Sequence, residues 1–334
     1  MLPIAAGIAF LGMAVTGCGP GGGTGRAALA KLPPPLTRAI TEAGAKQVLI
    51  RHMVTMNLAQ RRLSATVAAR AETGSALELR RAEYKIFKAN KLRAYSFKFT
   101  SAWGASPKFN TYPRWFVIAP TNTGTGKKTR DLMVFVQDAR GGPWLVAYSP
   151  RADRATGALG KGIDVADVPD VVPPNDPSLV LPPDRLPAAH ADMLSRGKRS
   201  PSTQLFRLTA SVTDRYKSVL ENRKVFTKLG WKGYYTPTPS PHPVYAVRTT
   251  SGGALVWYAV DFTTAGRNPG KATDLVWEID SWGDLFTPFV GRSKVHSWYK
   301  GLERQEVVAY VPPRGKGKIQ VIADRWSPVS LRGR

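Results

Sequence analysis

Residue types that commonly do chemistry are present in this chain, but their spacing matches no catalytic or metal-binding pattern. Gly124-Thr125-Gly126-Lys127-Lys128-Thr129 has the composition of a phosphate-binding loop. Such a loop needs a glycine at position 121 and a Ser or Thr directly after its lysine. Thr121 and Lys128 stand there instead, and an apolar strand pattern follows where a helix should open. A basic hairpin loop is the better reading. The histidines, His52, His190, His242 and His296, stand far apart, and no thiol pair exists to complete a metal set. His52 lies in phase with apolar neighbours, as a core histidine does. For acid–base work the candidates are Asp261, at the end of Val256-Trp257-Tyr258-Ala259-Val260, and Asp280 and Asp284 on either side of Trp282. Strand-end and turn carboxylates more often face solvent or cap amides. Trp277, Trp282, Trp298 and Tyr299 fall in one short stretch; exposed, such rings stack on sugars, and buried they are ordinary core. No catalytic, cofactor or metal role is assigned to any residue, and enzymatic activity is not expected.

Charge is the stronger signal. The chain carries 48 Lys and Arg against 23 Asp and Glu, a net charge of +25. Residues 36–150 hold 19 basic and 6 acidic side chains, and residues 188–334 hold 23 and 11. The stretch between them, 151–187, holds 4 and 6. Two basic bodies joined by a slightly acidic connector would attract polyanions. Nucleic acid is the usual partner of such a balance, but the N-terminus points elsewhere.

Leu2 to Val15 is an uncharged apolar run, and Val15-Thr16-Gly17 precedes Cys18, the chain's single cysteine. A transmembrane helix needs roughly 20 apolar residues, and this run stops short at a glycine cluster. It resembles the lipobox of a bacterial lipoprotein signal peptide, although the first basic residue, Arg26, follows the run rather than preceding it. That resemblance implies removal of the preceding residues, lipidation of Cys18, and a protein anchored to the outer face of the cytoplasmic membrane. The expected partners are then the membrane itself, anionic lipid head groups or cell-wall polymers, and not nucleic acid. The expected contact is the helix side bearing Arg81, Lys85 and Lys88, whose three- and four-residue spacing places them together, with Arg80, Lys91 and Arg93 close by.

The elements that position these residues follow from periodicity. Residues 1–18 read as the signal peptide and 19–36 as a flexible Gly/Pro tether. From Thr41, a plausible N-cap, Ala45, Val48, Leu49, His52, Met56, Ala59 and Leu63 form one helical stripe. A second helix is expected from Ser75 to Asn90. The period then becomes two: Tyr95, Phe97 and Phe99 alternate with smaller residues, and further strands are expected at Arg114–Ala119, Asp131–Gln137 and Trp144–Ser149. Residues 165–187 contain seven prolines and read as a stiff linker within 151–187. The second half then repeats the order. Helices are expected at 188–196 and 213–229, then strands at Val244–Thr250, Ala254–Thr263, Leu275–Asp280, Glu306–Val311 and Ile319–Ser327.

Both halves place a proline before an aromatic- and valine-rich strand, Tyr112-Pro113-Arg114-Trp115-Phe116-Val117 and His242-Pro243-Val244-Tyr245-Ala246-Val247. Both also end a strand on Ser-Pro, at 149–150 and 327–328. The expectation is an α+β chain of two tandem domains, 37–150 and 188–334, each with N-terminal helices packed on a curved antiparallel sheet. Glu72-Thr73-Gly74, Tyr112-Pro113-Arg114-Trp115-Phe116, Leu132-Met133-Val134-Phe135-Val136 and Pro143-Trp144, behind a lipobox, resemble a group of uncharacterised actinobacterial lipoproteins. The layout is also similar to NTF2-like and cystatin-like folds. Those folds host enzymes, binding modules and adaptors alike, so the resemblance implies shape and location but no activity. A binding or scaffolding role is expected, with a small-molecule-binding or enzymatic NTF2-like domain as the alternative.

Overall fold

The computed structural model describes residues 34–124, 126, 128–152, 163–276 and 284–334. The signal-peptide and tether expectations, with Cys18, fall outside these residues, as do Trp277, Asp280 and Trp282. The chain is a mixed α+β protein built on a large antiparallel sheet.

Three helices lead: α1 (Glu42–Arg62), α2 (Ala65–Ala68) and α3 (Gly74–Ala89). Thr41 caps α1 as expected, its hydroxyl accepting from the Gly44 N–H, and the predicted stripe is buried at Val48, Leu49, His52, Met56 and Ala59. A short strand, β1 (Thr37–Arg38), precedes them, and further strands follow: β2 (Phe99–Ala105), β3 (Lys108–Phe109), β4 (Arg114–Asn122), β5 (Thr129–Asp131), β6 (Met133–Gln137), β7 (Leu145–Tyr148) and β8 (Arg151–Ala152). The alternation at Tyr95, Phe97 and Phe99 yields a strand only from Phe99. Ahead of it the Asn57 side chain bonds both the N–H and the C=O of Phe97, at 2.7 and 3.0 Å, standing in for a neighbouring strand.

The second half supplies α4 (Leu186–Arg196), α5 (Ala210–Lys228) and α6 (Thr287–Val290), with β9 (Lys232–Pro239), β10 (Tyr245–Arg248), β11 (Ala254–Arg267), β12 (Leu275–Val276), β13 (Lys294–Val295), β14 (Trp298–Val311) and β15 (Gln320–Gly333). Among the described residues, eleven strands form one sheet in the order β10-β11-β14-β15-β8-β5-β4-β6-β7, with β9 on β11 and β2 on β4. The sheet therefore runs through both halves: β8 pairs with β5 on one side and with β15 on the other, through Arg151 and Asp324.

The boundary expected at 151–187 is crossed by the core as well. Leu255, Trp257, Ala259, Val308 and Ala323 pack in one buried cluster with Trp115, Val117, Leu132, Val134 and Tyr148. The Trp257 indole N–H donates to the Leu132 carbonyl at 3.1 Å, and the Tyr148 hydroxyl to the Pro243 carbonyl at 2.9 Å. The proline-dense segment is part of this packing rather than a free spacer. Ile163 and Val165 are buried in the shared cluster, and Val172 and Leu179 lie in a second cluster under α4 and α5. Residues 35–334 form one compact unit.

The alternation along β11 organises the second half. Val256, Tyr258, Val260 and Phe262 face α4 and α5. Leu255, Trp257 and Ala259 face the first half. A strand covered on both faces reads as a continuous apolar run, which Ala254–Val260 is.

Two buried histidines give the fold an acid sensitivity. Burial pushes the His190 imidazole down to about 3 and His52 to about 4. Below about pH 6.5 the unfolded chain binds protons at both sites that the folded chain does not, so each site lowers stability by about 1.4 kcal/mol per pH unit on acidification. Burial pushes the Glu303 and Glu306 carboxyls up, an opposite effect that is lost as pH rises above about 4.5. The comparison of wild type with His190→Phe cancels the carboxyl contributions. We expect the variant to gain relative stability steadily between pH 6.5 and 4 in urea unfolding. A pH-independent difference would contradict this.

Candidate functional site

Of the carboxylates singled out in the sequence, Asp261 and Asp284 are structural, and Asp280 lies outside the described residues. Asp261 accepts two hydrogen bonds from the Arg304 guanidinium, at 2.6 and 3.0 Å, and is buried. Arg304 also donates to Glu78 on α3 and to His242 Nε2. His242 and Arg304 beside Glu78 hold its carboxyl down at about 2. Asp261 is thus tied into a bridge between β11, β14 and α3, not poised as a free base. Asp284 accepts from the backbone N–H groups of Phe286 and Thr287, at 3.0 and 2.7 Å, at the start of α6. His52 and His190 are buried, His190 against the Tyr258 hydroxyl at 2.8 Å, and His296 pairs with Asp274 at 2.7 Å. The 124–129 loop leads into β5, a strand, as the reading against a phosphate loop requires. No group of three or more His, Cys, Asp or Glu able to hold a metal occurs among the described residues.

A second ion-pair cluster lies under α3. Arg80 forks onto both oxygens of Glu72, at 3.2 and 3.0 Å, and reaches Glu83 and the Tyr95 hydroxyl. Arg325 on β15 meets Glu83 from the other half at 3.1 Å. Arg80 is 2% exposed, so it is withdrawn from the basic helix face expected from sequence. Arg81, Lys85 and Lys88 remain exposed on α3, as do Lys91 and Arg93 beyond its end. The Lys85 ammonium sits 5.1 Å from the centre of the Phe289 ring.

These clusters sort the charge. Six acidic residues are buried among the described residues, Glu72, Asp131, Asp176, Asp261, Glu303 and Glu306, against two basic ones, Arg80 and Arg304. Burial removes more acids than bases from the surface of the described residues, so the positive excess is carried there.

It is most organised in a groove that the sequence did not reveal. In an antiparallel pair, directly opposed residues share a face. Lys232 opposes Arg267, which opposes Trp298; two residues along, Tyr234 opposes Ala265, which opposes Lys300, which opposes Arg332. All seven share the sheet face whose other end is covered by the first half and by the Arg304 bridge to α3. Here it is open. The groove encloses about 960 Å³ and also touches Gly233, Gly266, Asn268, Ser297 and Tyr299. Tyr234 is 51% and Trp298 39% exposed, whereas Tyr299, pointing to the opposite face, is buried. On that opposite face the ring of Phe226 on α5 lies against Gly233 and Gly266, where any Cβ would come within 2.8 and 2.4 Å of it. The glycine pair lets α5 pack closely against the sheet beneath the groove.

Four cations and two exposed rings therefore line one trough, with the short Ala265 as its floor. No carboxylate lines it among the described residues. These residues span about a hundred positions of sequence. The only local trace is a recurring cation two residues from a ring or small residue, Lys232-x-Tyr234, Ala265-x-Arg267 and Trp298-x-Lys300, which strand register converts into adjacent rows. A smaller cleft of about 260 Å³ opens where the start of α1 meets β2 and β4.

Residues 36–325 match the model of a domain of unknown function (DUF8094). No curated protein and no solved structure matches the chain.

Proposed function

The chain belongs to the DUF8094 family, a domain of unknown function, and we propose that this member is a lipid-anchored binding or scaffolding protein of the cell envelope. In this reading Cys18 carries the lipid, and the folded body lies against anionic lipid head groups or wall polymers at the outer face of the cytoplasmic membrane. The two halves are read as a diverged pair of NTF2-like or cystatin-like units: α1–α3 with β2 and β4–β7, then α4 and α5 with β9–β11, β14 and β15.

The observation that carries the proposal is the sorting of charge, six buried acids against two buried bases among the described residues of a chain of net charge +25. A basic shell held near an anionic surface gains roughly 1 kcal/mol per cation within a Debye length. The enzymatic alternative needs a roomy interior pocket with convergent polar groups. The interior of the sheet is instead filled by Trp115, Val117, Val134, Leu255, Trp257 and Val308.

Two changes test the reading. Cys18→Ser should move the protein from the membrane fraction to the medium, or leave an uncleaved precursor, since a diacylated anchor supplies two chains where one is marginal. The triple variant Arg81→Glu, Lys85→Glu, Lys88→Glu should lose sedimentation with anionic vesicles. These three side chains are exposed, so the fold should survive. Unchanged sedimentation would remove α3 as the contact face.

A further inference from the structure

We propose that the groove across β9, β11, β14 and β15 is a binding site for a phosphate-bearing saccharide chain. The sugar rings would stack on Trp298 and Tyr234, and the phosphates would pair with Lys232, Arg267, Lys300 and Arg332.

The chemistry of the trough selects this class. Its cations are exposed, and none has an ion-pair partner among the described residues. That differs from the arginines at the covered end of the same face, where Arg304 meets Asp261 and Glu78 and Arg325 meets Glu83. A site for a neutral sugar would not gather four uncompensated cations. A site for bare phosphate would have no use for two exposed aromatic rings beside the cations. Rings give a flat apolar platform for the C–H faces of a sugar, and forked guanidiniums suit phosphate oxygens.

The geometry suits a chain rather than a single residue. Neighbouring strands lie about 4.8 Å apart, and the two rows of side chains are offset by two residues, about 6.7 Å along the strands. The row Lys232–Arg267–Trp298 and the row Tyr234–Ala265–Lys300–Arg332 thus set paired cations beside a ring over four strands, with a ring at opposite ends of the two rows and Ala265 leaving room between them. A single-stranded nucleic acid also offers phosphates and rings. The saccharide is preferred because the proposed envelope location places the groove outside the cytoplasm, and to that extent this inference rests on the proposed function.

The test is calorimetric titration of residues 35–334, which form one compact unit. The probes are a phosphorylated mannan oligosaccharide, the same oligosaccharide after phosphatase treatment, inorganic phosphate, and a single-stranded DNA oligomer of equal charge. The phosphorylated sugar should bind, and each of the other three at least about tenfold more weakly, a difference of about 1.4 kcal/mol. Trp298→Ala and the pair Arg267→Glu, Lys300→Glu should each weaken binding by about tenfold or more, while Trp298→Phe should retain it. Circular dichroism melts confirm that the variants fold. The α3 triple reversal should leave sugar binding unchanged, and the uncharged change Trp298→Ala should leave vesicle binding unchanged, so this inference and the membrane reading can fail separately. Equal or tighter binding of DNA, no preference for the phosphorylated sugar, or indifference to Trp298→Ala would overturn it.

Discussion

Residues 36–160 and residues 161–334, expressed separately, should each fail to give a cooperative thermal melt, and mixing or co-expressing them should restore one. Separation would strip Leu255, Trp257, Ala259, Val308 and Ala323 from Trp115, Val117, Leu132, Val134 and Tyr148. It would also cut the sheet at β8–β15 and leave Glu306 without the Ser149 N–H that donates to it at 3.0 Å. Apolar faces of this extent do not persist in water as monomeric surface. Two independent cooperative melts, with unchanged near-ultraviolet circular dichroism, would show that the shared cluster is a docking contact and not a common core.

Arg80→Met should cost the protein about 3–5 kcal/mol of stability, because Glu72 would be left buried without its partner. Glu72 is 1% exposed, and Arg80 supplies hydrogen bonds to both of its oxygens. The double variant Arg80→Met, Glu72→Met should lose much less than the single one, since an apolar pair of similar volume replaces the ions. Urea unfolding at neutral pH measures both. A single variant as stable as the double would show that water reaches Glu72 and that the pair is effectively exposed.

What could be read from sequence was what is local. The α1 stripe and its Thr41 cap, α3, and the strand cores at 114–119, 133–137 and 254–263 follow from periods of 3.6 and 2, and the structure bears them out within a few residues. Two kinds of feature were not visible. β9 carries Pro237 and Pro239, which argue against a strand, but as an edge strand it pairs only with β11 and tolerates them. β14 begins at Trp298, eight residues before the expected Glu306, because its first half alternates cations, ring and small residues rather than apolar ones.

The site was hidden for a related reason. Lys232, Tyr234, Arg267, Trp298, Lys300 and Arg332 come from four strands, and nothing in the sequence gives their register. The Arg81, Lys85 and Lys88 face was visible because a helix fixes register by itself. Its neighbour Arg80 was read into that face, but one position around the helix turns it inward to Glu72. Trp298 and Tyr299 were considered as one aromatic group; consecutive strand residues point to opposite faces, so one is exposed and the other is core.

The proposed attraction between the basic folded body and an anionic surface supplements the lipid anchor at Cys18 without replacing it, and it can be measured apart from that anchor. The most direct measurement is the affinity of residues 35–334 for vesicles with and without anionic lipid, followed from low salt to about 1 M, where the Debye length shrinks from tens of ångströms to about 3 Å. Binding is expected only to the anionic vesicles, weakening steeply and continuously as salt rises. Equal binding to neutral vesicles, or no binding to anionic ones at low salt, would contradict it.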